Sequence, residues 1–249
     1  MNALIILCHP ERNSFNGALA DLAKITLEKQ GYSVEIADLY GEGFAACEGP
    51  AHYTDRESTK AFSALGEQRH AYNNGSLPED VKRHIALLEK ADFVMFQFPI
   101  WWHSTPAILK GWIDRVFVSG GLYTSSKRYD RGHFKGKKTM CSATIGAPDV
   151  ALGPGCRGGE IDQLFWPTQY SLHYMGFTIL PPFLATSVQG HGYATDDEAT
   201  NKLRLEQHKS NLVERLMSLN DTSPITYPTW KDWDALGAKL KPSKYPYSA

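Results

Sequence analysis

The chain has 249 residues, with 26 Lys and Arg against 27 Asp and Glu, a formal net charge of -1, and 42% hydrophobic residues. This suffices for a full core in one large domain or two small ones. It excludes a disordered chain, which needs low hydrophobicity with high net charge, and it argues against a nucleic-acid binder carrying a basic stripe.

Met1–His9 has no basic leader, and its apolar run is too short for a signal peptide or a membrane helix, so no membrane insertion is expected. Cys8, Cys47, Cys141 and Cys156 show no CxxC spacing. They read as reduced thiols in a cytoplasmic protein rather than as a zinc site or disulfide framework.

Ala3–Leu7 is a short apolar run that predicts a buried strand, ending at His9-Pro10. A helical pattern follows from Asn16 to Lys29, with Leu19, Leu22, Ala23, Ile25 and Leu27 apolar and Gly31 as the stop. Ser33–Ala37 is the next strand, so the chain opens with a β-α-β unit and a parallel sheet. Leu39–Leu77 is irregular and reads as an insertion with one or two short helices. Glu79–Lys90 is a helix, Asp92–Gln97 a central strand, and Pro106–Phe117 a helix with proline in its first turn. Lys138–Ala143 is a fourth strand, and Ile161–Met175 a helix. Thr178–Leu180 and Leu184–Val188 are the last strand material. Asp196–Leu219 is an amphipathic helix with Leu205, Leu212, Val213 and Leu216 on one face. The alternation predicts a three-layer α/β/α sandwich over residues 1–219, followed by a Pro/Trp/Tyr-rich extension, 220–249.

Ligands of open parallel sheets bind beyond the carboxyl ends of the strands. Three loops leave those ends: Cys8–Phe15, Phe98–Thr105 and Thr144–Gly159. The first lacks GxGxxG and GxxxxGK[ST], which counts against an ordinary dinucleotide fold and a P-loop. It offers His9, Ser14 and Asn16 at a helix mouth, where a phosphate fits; Ser14 also reads simply as a helix N-cap. The second carries Trp101 and Trp102. Adjacent side chains diverge in an extended loop, so one packs inward, and Trp102 is the one expected to face a planar ligand. The third exceeds an ordinary connection in length and has Gly146 where backbone can approach a ring.

The stretch Gln97-Phe98-Pro99-Ile100-Trp101-Trp102, continued by Pro106–Phe117 (Pro-Ala-Ile-Leu-Lys-Gly-Trp-Ile-Asp-Arg-Val-Phe), resembles the signature of the flavodoxin-like NAD(P)H:quinone oxidoreductases, the DT-diaphorase family. His9, Ser14, Phe15 and Asn16 resemble its first phosphate loop. Phe165-Trp166-Pro167 and Leu172–Phe177 resemble later segments.

The resemblance implies a flavodoxin-like fold with a doubly wound five-stranded parallel sheet. It implies a homodimer with active sites at the dimer interface, and a tightly held FAD, with FMN the less favoured flavin. NADH or NADPH is the implied hydride donor, and the implied chemistry is two-electron, ping-pong reduction of a small planar acceptor such as a quinone. By the same resemblance, His9, Ser14, Phe15 and Asn16 hold the phosphates and ribityl chain. Pro99, Ile100, Trp101, Trp102 and His103 line one side of the ring, and Thr144, Ile145 and Gly146 the other. Trp102, His103, Tyr123 and Tyr129 bind the acceptor, Tyr123 from a loop over the partner subunit's flavin. Backbone N–H groups around Gly146 are candidates for stabilising the reduced ring. His103 is a candidate proton donor, or simply a stacking side chain. Leu152 and Gly158 stand where the mammalian members carry a tyrosine and a histidine, and Ser125 replaces a second lid tyrosine. Alternative readings are a flavin-binding ancillary subunit of a transport system and an FMN electron carrier. The near-neutral charge argues against the carrier.

Overall fold

The N-terminal apolar run forms β1 (Asn2–Leu7), buried from Ala3 onward. A strand without polar alternation is covered on both faces, as in a helix-flanked parallel sheet. β1 pairs with β2 (Ser33–Asp38) on one side and β3 (Phe93–Pro99) on the other. β3 pairs with β4 (Lys138–Thr144), which pairs in turn with β5 (Thr178–Ile179) and β6 (Phe183–Ala185). Every pairing is parallel, and the order is β2-β1-β3-β4-β5, with β6 also on β4. Pro181 and Pro182 lie between β5 and β6. Proline has no N–H for the ladder, so the edge strand breaks into two short pieces. The expected five-stranded, doubly wound flavodoxin-like sheet is therefore present with its fifth strand interrupted. The computed structural model describes residues 1–188 and 196–240; the end of the extension, 241–249, lies outside the described residues.

The helices are α1 (Phe15–Lys29), α2 (Ala64–Asn74), α3 (Glu79–Lys90), α4 (Ala107–Val116), α5 (Ile161–Tyr174) and α6 (Glu198–Met217). Alternate residues of β1 feed two cores, as strand geometry requires. Leu4 and Ile6 join Phe96, Trp112 and Phe165 on one face. Ile5 and Leu7 join Leu19, Leu27, Met95, Leu212 and Leu216 on the other.

Most helix limits match the pattern-based expectation, and two details differ. Ile25 is 49% exposed, because the buried stripe of α1 runs through Asn16, Leu19, Ala20, Ala23 and Leu27. Pro106 precedes α4 as its N-cap instead of starting it. Trp112 is fully buried, but Trp166 is 38% exposed and stacks on Tyr170 with a centroid distance of 4.7 Å.

The extension up to residue 240 lies along α5. The Ile225 N–H donates to the Ile179 carbonyl at 2.8 Å. Tyr227 stacks on His173 at 4.7 Å, and Trp230 Nε1–H donates to the Arg128 carbonyl at 3.0 Å.

Candidate active site

In a parallel sheet all carboxyl ends meet one edge, and the strand order reverses between β1 and β3. The three loops leave from that edge, tied together at their bases. The Cys8 N–H donates to the Gln97 carbonyl at 2.9 Å, Ile100 N–H to Thr144 at 2.8 Å, and Ile145 N–H to Ala185 at 2.9 Å. Three further contacts join the loops pairwise. The His9 and Trp101 rings lie 6.1 Å apart. Asn16 Nδ2–H donates to Thr144 Oγ1 at 2.9 Å. His103 Cδ2 lies 3.7 Å from where a Cβ on Gly159 would stand.

The first loop folds onto the start of α1. Ser14 is the N-cap, and its hydroxyl accepts from the Gly17 N–H at 3.3 Å. The next N–H groups, of Phe15 and Asn16, have no acceptor within the helix, and the first turn holds no acidic side chain. The positive end of the helix dipole is thus open to an anion. His9 Nδ1 lies 3.0 Å from both the N–H and the carbonyl oxygen of Glu11, so these bonds use one ring nitrogen and leave Nε2 outside them. Phe15 is half-buried and leans toward α6, its ring 6.5 Å from that of His208. It therefore contributes its backbone to the mouth more than its ring. The sequence reading passed over Gly17: a Cβ there would meet the Arg12 carbonyl oxygen at 1.9 Å. Only glycine lets the loop lie this close to the helix.

The second loop is a tight hairpin. Trp101 and Ser104 exchange backbone bonds of 2.9 and 3.0 Å. Trp102 and His103 between them have φ of +50° and +59°, the two-residue positive-φ condition usually met by Asn-Gly. Neither tryptophan packs inward, although the sequence predicts this for one of them: Trp101 is 41% exposed beside His9, because the hairpin bonds hold it at the surface. Trp102 is 97% exposed, so its indole touches little of its own chain. Pro99 is the last residue of β3 and is buried beside its β4 partner Thr144, and Ile100 packs against the core.

The third loop starts at Thr144. Gly146 is exposed, is not in the positive-φ region, and would find only the Val188 carbonyl, at 3.7 Å, near an added Cβ. Neither backbone conformation nor internal packing calls for glycine there; a flat ligand lying against that backbone would. The exposed aromatic at Trp102, the open N–H groups at α1 and the bare backbone at Gly146 fit a planar ring carrying an anionic chain, which is the shape of a flavin. At two of the positions that depart from the family pattern, Leu152 is buried and Gly158 packs on Ala151, whose carbonyl oxygen an added Cβ would meet at 2.8 Å.

Asn16 serves the site differently from the expectation. Its side chain does not face the loop mouth. It is buried and hydrogen-bonded to Gln97 and Thr144. In the sequence Gln97 stands at the end of a strand and the start of the family-like stretch with no site role assigned to it, and an isolated polar residue in an apolar strand is the signal that singles it out.

Tyr123 and Tyr129 are not brought to this edge within one chain. They follow α4 and precede β4, on the side where strands begin, and both rings pack on Tyr174, at 5.6 and 5.1 Å. Tyr129 is also surrounded by Tyr170, His173, Trp230 and Trp233. Burial pushes both phenol pKa values above the ordinary one, so both keep their protons near neutral pH.

Among the described residues no group of side chains suits a metal ion, and no helix is long and apolar enough to cross a membrane. Residues 1–212 match the family described as having a flavodoxin-like fold. The chain is 39% identical to NAD(P)H dehydrogenase [quinone] 1 of Rattus norvegicus over 76% of its own length and 69% of the relative's. It is 34% identical to ribosyldihydronicotinamide dehydrogenase [quinone] of Mus musculus over 91% and 96%. A candidate quinone reductase of Klebsiella pneumoniae superposes with a TM-score of 0.88 at 30% identity, covering 100% of this chain and 97% of that one. With the fold, the strand-end site and these relatives in agreement, the chain belongs to the flavodoxin-like NAD(P)H:quinone oxidoreductase family of enzymes.

Proposed function

We propose that the protein is an FAD-dependent NAD(P)H:acceptor oxidoreductase that reduces quinones or similar planar acceptors by two electrons, in ping-pong fashion. The observation that carries this reading is the convergence of the α1 N-terminus, the Trp102–His103 turn and the Gly146 backbone on one edge of the sheet. Bound there, a flavin would supply the redox chemistry linking NADH or NADPH to the acceptor. Ser14, Phe15, Asn16 and His9 hold its phosphates through N–H donors, and Thr144, Ile145 and Gly146 lie along the ring. The N–H groups of Gly146 and Ala147 are fixed dipoles that offset negative charge on the reduced ring. His103 is exposed, and its ring makes no hydrogen bond among the described residues; it holds a proton for the reduced acceptor. Donor and acceptor would use this same exposed edge in turn, which is the ping-pong order.

A homodimer completes the site in this reading: Tyr123 and Tyr129 lie away from their own chain's strand ends and act at those of a second copy. The four cysteines are free thiols, which supports a cytoplasmic enzyme.

Flavin released from the purified protein and identified chemically, together with initial rates at several NAD(P)H and quinone concentrations, tests the proposal. FAD with parallel double-reciprocal lines is expected. A protein holding no flavin, or one without acceptor reduction, overturns it; FMN without NAD(P)H oxidation favours the carrier reading.

A further inference from the structure

Beneath the three loops, four buried side chains form one hydrogen-bonded file. Ser142 Oγ–H donates to Gln97 Oε1 at 2.7 Å, Gln97 Nε2–H to Asn16 Oδ1 at 2.8 Å, and Asn16 Nδ2–H to Thr144 Oγ1 at 2.9 Å. Ser142 and Gln97 are fully buried, Asn16 is 3% exposed and Thr144 4%. The file runs from β4 through β3 and α1 back to β4, and ends at the base of the loop that carries Gly146.

Such a file has a direction. The hydroxyl at one end uses its proton inside the file, and the hydroxyl at the other end accepts and has its own proton left over. Were the direction reversed, the spare proton would sit on Ser142, in the core, where Ser142 Oγ makes no bond besides that to Gln97 among the described residues. A buried donor left unmet is unfavourable, because nothing replaces the water it gave up. In the observed direction the spare proton is on Thr144, at the edge of the site.

We propose that Gln97 is a positioning residue that holds the Thr144 hydroxyl as an outward donor, aimed at an acceptor atom of the bound flavin. This inference rests on the flavin reading given above. Asn16 occupies a lone pair of Thr144 Oγ1, so the hydroxyl proton has no place in the file. The site thereby selects a ligand edge presenting a lone pair, such as a ring carbonyl, a ring nitrogen or a ribityl oxygen, over one presenting N–H. Without the Gln97 donor, the Asn16 amide is free to turn over and draw the Thr144 proton inward.

The test is titration of FAD into the flavin-stripped protein, read by quenching of flavin fluorescence, with neutron diffraction from deuterated, FAD-bound crystals as a second measurement. Thr144→Val is expected to weaken FAD binding about tenfold, and Thr144→Ser to stay within about twofold of the parent. Gln97→Met should match Thr144→Val, and combining the two should cost no more than about twofold further, because both remove the same donor. Neutron density should place the Thr144 deuteron away from Asn16. A Thr144 deuteron pointing at Asn16, unchanged affinity in Thr144→Val, or full additivity in the double variant overturns the inference. If Gln97→Met does not fold, the two Thr144 variants and the deuteron positions decide. Parent protein that binds FAD while the variants fail to separate refutes this inference alone; parent protein that binds no flavin refutes the functional reading and the inference together.

Discussion

Trp102 and His103 occupy the two central positions of one tight turn, both at positive φ. A left-handed conformation costs a non-glycine residue about 1–2 kcal/mol, and such strain tends to persist where function needs the geometry. His103→Gly should therefore stabilise the flavin-free protein by about 1 kcal/mol, or roughly 2–4 °C in Tm for a chain of this size. Quinone turnover should fall about tenfold with flavin retained, a barrier increase of about 1.4 kcal/mol. Thermal melts and steady-state rates on the same preparation check both halves.

Trp102→Ala makes the complementary case. Its side chain is almost wholly exposed, so removing it should move stability by no more than about 0.5 kcal/mol. If the indole walls the flavin, the purified variant should still lose much of its yellow absorbance. Full flavin occupancy would mean that Trp102 does not face the ligand.

Gly17→Ala tests the first loop. The new methyl would collide with the Arg12 carbonyl, and forced overpacking costs about 1–3 kcal/mol. The loop must move off α1, taking His9 and Ser14 with it. Weakened flavin binding is expected, with a Tm drop that bound flavin reverses only partly. Gly43→Ala, whose neighbourhood is open but whose φ is +63°, serves as a strain control away from the site and should leave flavin affinity unchanged.

Arg115 anchors the irregular segment before α2. It donates to the Asp80 carboxylate at 2.6 and 3.2 Å and to the Ala45 carbonyl at 2.7 Å, with its guanidinium 5.0 Å from the Phe44 ring centroid. Burial raises the Asp80 pKa, but the Arg115 bonds outweigh it and hold the carboxyl below its ordinary value of 3.8. The stability this gives is full above that ordinary value and is lost as pH falls through the folded-state pKa. Arg115→Met should cost about 2 kcal/mol, reduced from the fully buried case because Asp80 is partly exposed. Urea denaturation at pH 7 measures the loss; Asp80→Asn should flatten the acid limb of stability.

His84 is fully buried, its Nε2 3.1 Å from Glu42 and its Nδ1 without a hydrogen-bond partner among the described residues. Burial lowers its pKa, and Glu42, with Arg83 opposing it, only partly restores it. The unfolded chain thus takes up the proton first, and stability declines as pH falls from about 6.5 toward the folded-state pKa. Replacing His84 with Gln should reduce the difference in urea midpoint between pH 7 and pH 5.5. An unchanged difference would assign that acid sensitivity to other groups.

The sequence by itself determined the sheet and its helices, because an apolar run such as Ala3–Leu7 and the periodic stretch Glu79–Lys90 satisfy their backbone and bury their faces in few ways. It also marked the three strand-end loops, since their length and residue types exceed what a connector needs. The tertiary structure decided which residues in those loops meet. Asn16 and Thr144 are 128 positions apart, and their bond exists only because β4 pairs with β3 and brings its carboxyl end to the start of α1. The removal of Tyr123 to the far end of the sheet is likewise a product of distant contacts, while the close approach of Arg12 to Gly17 and the strain at Trp102 and His103 are set by the exact path of one loop each. Local propensity is silent on these, because it records the conformations a segment prefers and carries no information about which side chains the rest of the chain will press against it.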